Sequence, residues 1–454
     1  MATDKKISQL SSGAPAQAGD EYVVARSGAN YKLTGSNVAA LVAGTANTFS
    51  AAQTFSNPAS FADGSASAPA VTNTGDTDTG VYFPAANEVA VTTGGTVAAA
   101  FNSNGLFFRN RIINGDMRID QRNAGAAMTI NTAAASYFVD RWFAFGQAAD
   151  GVFTVQRSTT APTGFTNSVI ATVTTADASL GATQLYCVTQ YIEGFNTADF
   201  GWGTAGALPV TLSFWVRSSV TGTFGGSIRN AAANRSYPFT YVINSANTFE
   251  YKTITIPGDT TGTWATDNTS GPQVWFSLGS GSTVSGTAGA WAASNFTSAT
   301  GATNLMATLN ATWYITGVQL ETGSVATPFE RRPYGTELQL CQRYYWRQTR
   351  NGVSTYEDFA MGTSADQTTW LRYAIRYPVQ MRANPTFSIT AAANQYANLT
   401  SAGNITATNV ILDSTVTTQL ATIGVYSASI TTGMSGAFRS SNNTTATFDF
   451  SAEL

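Results

Sequence analysis

The chain has 454 residues, a formal net charge of −3 and no histidine, and only 11% of its residues are charged. An ordinary soluble domain has about 25% charged residues, so small polar residues must form most of this surface. The absence of histidine excludes every His-containing catalytic triad and removes the commonest metal ligand. We therefore predict no metal site and no cofactor.

Nucleic-acid binding and membrane insertion are also not expected. The one basic cluster, in residues 107–122, is interrupted by Asp116 and Asp120, whereas nucleic-acid binding needs an uninterrupted basic patch. No apolar run approaches the roughly 20 residues of a membrane span. The first ten residues, MATDKKISQL, lack the apolar core of a signal peptide, which predicts synthesis in a cytoplasm. Cys187 and Cys341 lie in apolar patterns typical of buried free thiols, although a disulfide between them stays open.

Two small segments come first along the chain. Residues 1–45 form a leader in which Ser36 precedes an apolar run and Gly44 follows it, so we predict a capped helix of about two turns within residues 32–44. Residues 46–110 have low complexity and contain short apolar alternations separated by Gly and Asn, which predicts a β-rich shaft or collar.

The collar strands carry too little apolar surface for a monomeric core. Identical chains could supply the missing burial, so we predict a parallel homotrimer. The predicted trimer interface consists of the apolar collar residues Val81, Phe83, Val89, Val91, Leu106 and Phe107.

Residues 111–332 show repeated strand periodicity. Val210, Leu212, Phe214 and Val216 alternate with Thr211, Ser213, Trp215 and Arg217, and Val274, Phe276 and Leu278 alternate in the same way. Many such strands, separated by Gly- and Asn-rich turns, predict a jelly-roll-like β-sandwich. Near its end the apolar phase slips at Gly317, which predicts a β-bulge.

Residues 333–454 are predicted to form a C-terminal β head domain. Thr336 and Gln339 have capping-box spacing, which predicts a short helix over about residues 336–347. Residues 387–389, 425–430 and 448–450 then have strand patterns. The predicted fold class is therefore mainly β: a leader, a short collar, a jelly-roll-like sandwich and a β-sandwich head.

Several segments resemble tail fibre and receptor-binding proteins of tailed bacteriophages. The strongest is residues 311–346, ATWYITGVQLETGSVATPFERRPYGTELQLCQRYYW. NRIINGDMRIDQ and YFVDRWF are similar to the start of jelly-roll modules in phage fibres, and ATFDFSAEL to the end of fibre head domains. The resemblance covers roughly residues 110–454, and the leader resembles the virion-docking leaders of such proteins.

The resemblance implies a virion fibre protein, docked through its N-terminus to a tail or baseplate protein, that attaches to a host cell-surface glycan or an outer-membrane receptor. Two alternatives stay open: a glycan-degrading tail spike, and a purely structural fibre of the tail, baseplate or capsid. By analogy with carbohydrate-binding jelly rolls, Asp116 and Glu321 could hold a structural cation.

Four aromatic residues are candidate ligand contacts. Trp202 lies in a Gly-rich loop, where its indole could stack on a sugar or could instead plug the rim of the sandwich together with Trp264 and Trp291. Tyr356, Phe359 and Trp370 flank a polar loop of the head, which we expect to be the receptor surface because recognition concentrates in loops. No carboxylate lies in a recognisable catalytic motif, so we predict that the protein is not an enzyme.

Overall fold

The computed structural model describes residues 21–26, 29–34, 58–101, 109–131, 136–146, 150–348, 355–363 and 368–454. The chain divides into two compact units, Met1–Phe61 and Ala62–Leu454. The first contains an antiparallel hairpin, β1 (Glu21–Arg26) and β2 (Ala29–Thr34). Residues 32–34 of the predicted leader helix belong to β2, and the rest of that helix lies outside the described residues.

The second unit begins with the collar. Its strands are β3 (Gly64–Ser65), β4 (Ala68–Pro69), β5 (Val71–Asn73), β6 (Asp76–Tyr82), β7 (Val89–Thr93) and β8 (Thr96–Phe101). Strands β5 to β8 form one antiparallel sheet in sequence order. Its register places Val81 opposite Val91 and Val89 opposite Phe101.

This pairing puts Val81, Val89, Val91 and Phe101 on one face of the collar sheet, and Phe83 follows directly after β6. All of these are exposed or half-buried in the single chain, whereas Tyr82, Ala90 and Thr92 on the other face are buried. The remaining predicted interface residues, Leu106 and Phe107, lie outside the described residues.

The middle of the unit is a sandwich of two six-stranded sheets, which confirms the mainly β fold class predicted from periodicity. Strand order is β10-β11-β14-β19-β16-β17 in the first sheet and β18-β15-β22-β13-β12-β9 in the second. The strands of the two sheets are β9 (Met128–Ile130), β10 (Ser136–Val139), β11 (Trp142–Gly146), β12 (Val152–Ser158), β13 (Ser168–Thr175), β14 (Leu185–Glu193), β15 (Val210–Ser218), β16 (Gly222–Arg229), β17 (Ser236–Ile243), β18 (Glu250–Ile256), β19 (Ser270–Ser280) and β22 (Thr312–Thr322). Between β19 and β22, the short strands β20 (Ser285–Gly286) and β21 (Ser298–Ala299) form a separate parallel pair.

Both sheets turn their alternating apolar residues inward, as the sequence pattern requires. Val210, Leu212, Phe214 and Val216 of β15 are fully buried in the same core as Phe276 of β19. The predicted bulge is present, because the pairing of β15 with β22 shifts between Ser213 and Trp215, opposite Gly317.

The head begins with helix α1 (Tyr334–Gln342) and contains one three-stranded and one seven-stranded sheet. Its strands are β23 (Tyr345–Gln348), β24 (Asp358–Thr363), β25 (Trp370–Arg376), β26 (Thr386–Ile389), β27 (Tyr396–Thr400), β28 (Gly403–Thr406), β29 (Asn409–Val416), β30 (Leu420–Tyr426), β31 (Ser435–Ser440) and β32 (Phe448–Ser451). The helix starts two residues before the predicted Thr336, because its N-cap is Pro333. It ends before the predicted residue 347, because Tyr345 already pairs with Ser451 of β32. No helix within the described ranges is long and apolar enough to span a membrane.

Buried polar contacts join the head to the sandwich. Arg343 binds Glu193 of β14 through two nitrogens, at 2.5 and 2.9 Å. The Glu453 carboxylate accepts hydrogen bonds from Arg141 and, at 2.6 Å, from Arg122. Cys187 and Cys341 are both buried and free, as predicted, so no disulfide contributes to this junction.

Candidate functional site

Trp202 is packed among other aromatic side chains at one end of the sandwich. Its ring lies 4.7 Å from that of Trp264 and 5.2 Å from that of Trp291, and only 7% of the residue is exposed. Its indole N–H donates to the Leu208 carbonyl at 2.9 Å. This environment matches the alternative role of Trp202 as a plug at the rim.

The structure does not bring the three head candidates together. Phe359 faces the head core beside Phe438 and Phe448. Trp370 stacks on Tyr426 with ring centroids 5.2 Å apart. Tyr356 lies just before the first residue of β24. The last residue of β24 pairs with Arg372, which is two residues after Trp370 on β25. Tyr356 and Trp370 therefore lie toward opposite ends of this strand pair, and proximity in sequence does not make them one surface.

An open groove lies elsewhere, against the outer face of the second sandwich sheet. It has a volume of about 350 Å³, which is within the range of small-ligand sites. We call it the Trp215 groove. It lies between the turn end of β8 in the collar, the β15–β18 strand pair and the segment that follows β22, and it is lined by Thr96, Val97, Phe165, Trp215, Tyr251, Ala326, Thr327, Pro328, Phe329 and Arg331.

Two aromatic pairs line the groove. Trp215 is opposite Tyr251 in the strand pairing, and their ring centroids are 5.4 Å apart. Phe165 and Phe329 meet edge to face at 5.3 Å. Trp215 is half-buried and Tyr251 is 43% exposed. These rings therefore present apolar surface to solvent, which a bound ligand could cover.

Polar groups accompany the rings. The Arg331 guanidinium carbon lies 4.6 Å from the Phe165 ring centroid. Burial raises the pKa of the Tyr251 phenol, and a hydrogen bond with Ser213 opposes that shift. The Tyr251 hydroxyl therefore stays protonated at neutral pH and can donate or accept a hydrogen bond. Aromatic surface combined with a few polar groups is typical of a site for an amphipathic small molecule.

The predicted bulge lies against two aromatic rings of this groove. Gly317 has φ +60°, which favours glycine, and a Cβ added there would lie 2.7 Å from the Phe165 ring and 3.2 Å from the Trp215 ring. Both rings can lie over the β22 backbone only because residue 317 has no side chain.

Replacing Gly317 with alanine is expected to lower the free energy of unfolding by about 2–4 kcal/mol. Alanine is strained in the left-handed backbone conformation, and its Cβ would displace the two rings. Urea denaturation measures this change. Gly301→Ala is the matched control, because Gly301 also has a positive φ, +78°, but open space where its Cβ would be. Equal losses in the two variants would show that the ring contacts at Gly317 contribute nothing.

The carboxylates considered for a structural cation are engaged by the protein itself. Glu321 accepts hydrogen bonds from Gln319 and from the backbone and hydroxyl of Thr327. Asp116 pairs with Arg118 at 2.5 Å. Within the described ranges, no group of three or more acidic or thiol side chains could hold a metal ion.

Sequence reasoning did not single out the Trp215 groove, although one signal was present. The alternation in β15 puts Trp215 on the outer face, between the polar residues Ser213 and Arg217. A single exposed aromatic residue is common on protein surfaces, and only a contiguous apolar patch marks a binding surface, so this signal alone was not sufficient. The partner rings come from other parts of the chain and could not be assigned to it from periodicity.

The sequence matches no family model and no curated protein. Several solved structures are weakly similar, including the following three. One is a putative sugar binding protein from Bacteroides thetaiotaomicron (12% identity, TM-score 0.29, 47% of this chain and 100% of that chain). Another is the enzymatically active domain of tailspike protein 4 of bacteriophage CBA120 (14%, 0.25, 47% and 21%). The third is a family 11 carbohydrate-binding module from Clostridium thermocellum in complex with a β-1,3-1,4-linked tetrasaccharide (12%, 0.22, 42% and 91%).

The aligned part of this chain spans about a fifth of the tailspike structure's length. Similarity at these TM-scores carries no functional conclusion.

Proposed function

We propose that this protein binds a glycan in the Trp215 groove. The observation that carries the proposal is an open groove of about 350 Å³ in which Trp215, Tyr251, Phe165 and Phe329 converge beside Arg331. A sugar ring has apolar faces edged by hydroxyl groups. Half-exposed aromatic rings can cover those faces, while the Tyr251 hydroxyl and the Arg331 guanidinium bond the hydroxyl groups.

We further propose that binding serves attachment of a phage fibre to a host cell surface, with the virion as the protein's location. The resemblance of residues 110–454 to fibre proteins supports this role, and so does the separate N-terminal unit, which would dock on a tail or baseplate protein. A purely structural fibre would not adhere to cells, so binding of the labelled protein to host cells tests the proposal.

Replacing Trp215 with alanine tests the groove. Removal of a central aromatic contact commonly costs 2 kcal/mol or more, so affinity for the bound glycan should fall about 30-fold or more. Titration calorimetry with a glycan selected from an array measures this effect. The control is Tyr334→Ala, which removes another exposed ring, at the start of α1 and outside the groove lining. Unchanged affinity in the Trp215 variant would place binding elsewhere, with the head loops next to be tested.

Glycan cleavage is the alternative function. Hydrolysis needs two carboxylates on one cleft, and the described residues that line the Trp215 groove include no Asp or Glu. We therefore propose binding without catalysis. A fall in polymer length when the protein is incubated with the bound polysaccharide would overturn this proposal.

We also propose that the fibre is a homotrimer assembled through the collar. Val89 and Phe101 are paired on one face and are 38% and 42% exposed in the single chain. This face has the character of an interface, because a contiguous exposed apolar surface gains stability when a second chain covers it.

A further inference from the structure

The Trp215 groove carries one formal charge, and that charge is positive. Arg331 is the only ionisable residue among its described lining residues apart from the Tyr251 phenol. A binding site with a cation and no anion favours a ligand of the opposite charge. The inference below rests on the proposed glycan binding and concerns the class of glycan.

Arg331 differs from the neighbouring arginine. Arg332 is bonded to Glu330 and Glu337, and to backbone carbonyls. In the described parts of the chain, no ion pair or hydrogen bond is recorded for Arg331; its contacts are with the faces of Phe165 and Phe329, at 4.6 and 5.8 Å. Stacking of this kind uses the face of the guanidinium and leaves its N–H edge able to donate.

The nearest carboxylate in sequence cannot neutralise Arg331. Glu330 is already used, because it accepts the backbone N–H groups of Arg109 and Asn110, at 3.2 and 3.0 Å, and the Arg332 guanidinium at 3.3 Å. Glu321 is buried and bonded to Gln319 and Thr327. Both carboxylates are thus committed to the scaffold, and neither forms an ion pair with Arg331.

We infer that the Trp215 groove takes an acidic saccharide, a sugar whose ring bears a carboxylate, as uronic and sialic acids do. The sugar face lies on the Trp215–Tyr251 pair and the carboxylate receives the paired N–H donors of Arg331. A planar guanidinium fork matches a carboxylate with two parallel hydrogen bonds. Arg331 is then the residue that determines specificity, and the aromatic rings supply affinity shared by neutral sugars.

The full-length protein is tested on an array of uronic and sialic acid oligosaccharides, each beside its carboxyl-reduced neutral form. We expect the acidic form of a bound glycan to bind at least tenfold tighter than its reduced form. This preference should shrink as salt rises from 50 to about 500 mM, because the charge pair is partly exposed and is screened. Equal binding of the two forms overturns the inference.

Variants of Arg331 complete the test. Arg331→Gln should lose the preference for acidic over neutral forms, because its side-chain amide can still donate a hydrogen bond to a sugar hydroxyl group but carries no charge. Arg331→Lys should keep a reduced preference, because it retains the charge without the planar fork. A full preference in the glutamine variant contradicts the assignment. Arg331 is exposed, so both variants should have unchanged thermal stability.

A failure of the proposed glycan binding gives a different result from a failure of the acidic specificity alone. If Trp215→Ala binds acidic glycans as well as the wild type does, the Trp215 groove is not the site, and the proposed function and the inference both fail. If Trp215→Ala abolishes binding but carboxyl reduction has no effect, the groove binds glycan and only its acidic specificity is wrong.

Discussion

Replacing Arg141 with methionine is expected to lower the free energy of unfolding by about 3–5 kcal/mol. Arg141 is 1% exposed and lies where the head meets the sandwich. Its guanidinium donates to Glu453 and, at 2.5 Å, to the Tyr191 carbonyl, and it lies 3.6 Å from the Tyr344 ring centroid. Methionine keeps much of the apolar stem but leaves Glu453 buried with one fewer cation.

Thermal and urea denaturation measure the loss. The matched control is Arg376→Met, since Arg376 is exposed on β25 and no ion pair is recorded for it within the described ranges; this variant should stay within about 0.5 kcal/mol of the wild type. The double variant Arg141→Met with Glu453→Gln should lose less than the sum of the two single losses, because both single variants break the same ion pair. A loss below 1 kcal/mol for Arg141→Met alone would mean that the head is not held to the sandwich through this ion pair.

The second large effect is expected at the collar, where Val89→Glu should convert a trimer into monomers. The new carboxylate would be buried without a partner in the proposed interface, at a cost of several kcal/mol per chain. Light scattering should give three times the chain mass of 47.6 kDa for the wild type and the single-chain mass for the variant.

Cell attachment should also fall when the trimer is lost. Loss of linked binding sites removes an avidity gain of about 10²–10⁴, while the affinity of each site for a free oligosaccharide should not change. Thr240→Glu is the control, because it adds the same charge at an exposed position of β17 in the sandwich. A stable, folded wild-type monomer at micromolar concentration contradicts the trimer, the avidity argument and much of the fibre proposal.

Local patterns in the sequence were sufficient to predict much of the fold. Alternation in β15 and β19 predicted both strands, because successive side chains on a strand point to opposite sides. In β19 the second face is buried as well, with Trp275 and Ser277 almost fully covered. The phase slip at Gly317 predicted the bulge, because such a residue changes which face the next side chains reach. The apolar face of the collar followed from the same alternation. Helix α1 was located but shifted, because the N-cap was assigned to Thr336 and not to Pro333.

The candidate site depended on contacts between residues far apart in sequence. Phe165, Trp215, Tyr251 and Arg331 lie in different elements and meet only when the β15–β18 pair and the segment after β22 are placed beside one another. Trp202 looked open because its loop is rich in glycine, but its burial is decided by Trp264 and Trp291, which lie 62 and 89 residues later in the chain. By itself, the sequence determined the strands, the bulge and the low charge of this protein. The tertiary structure decided which aromatic rings are buried and which line the groove, because side-chain burial depends on distant partners that a local pattern does not contain.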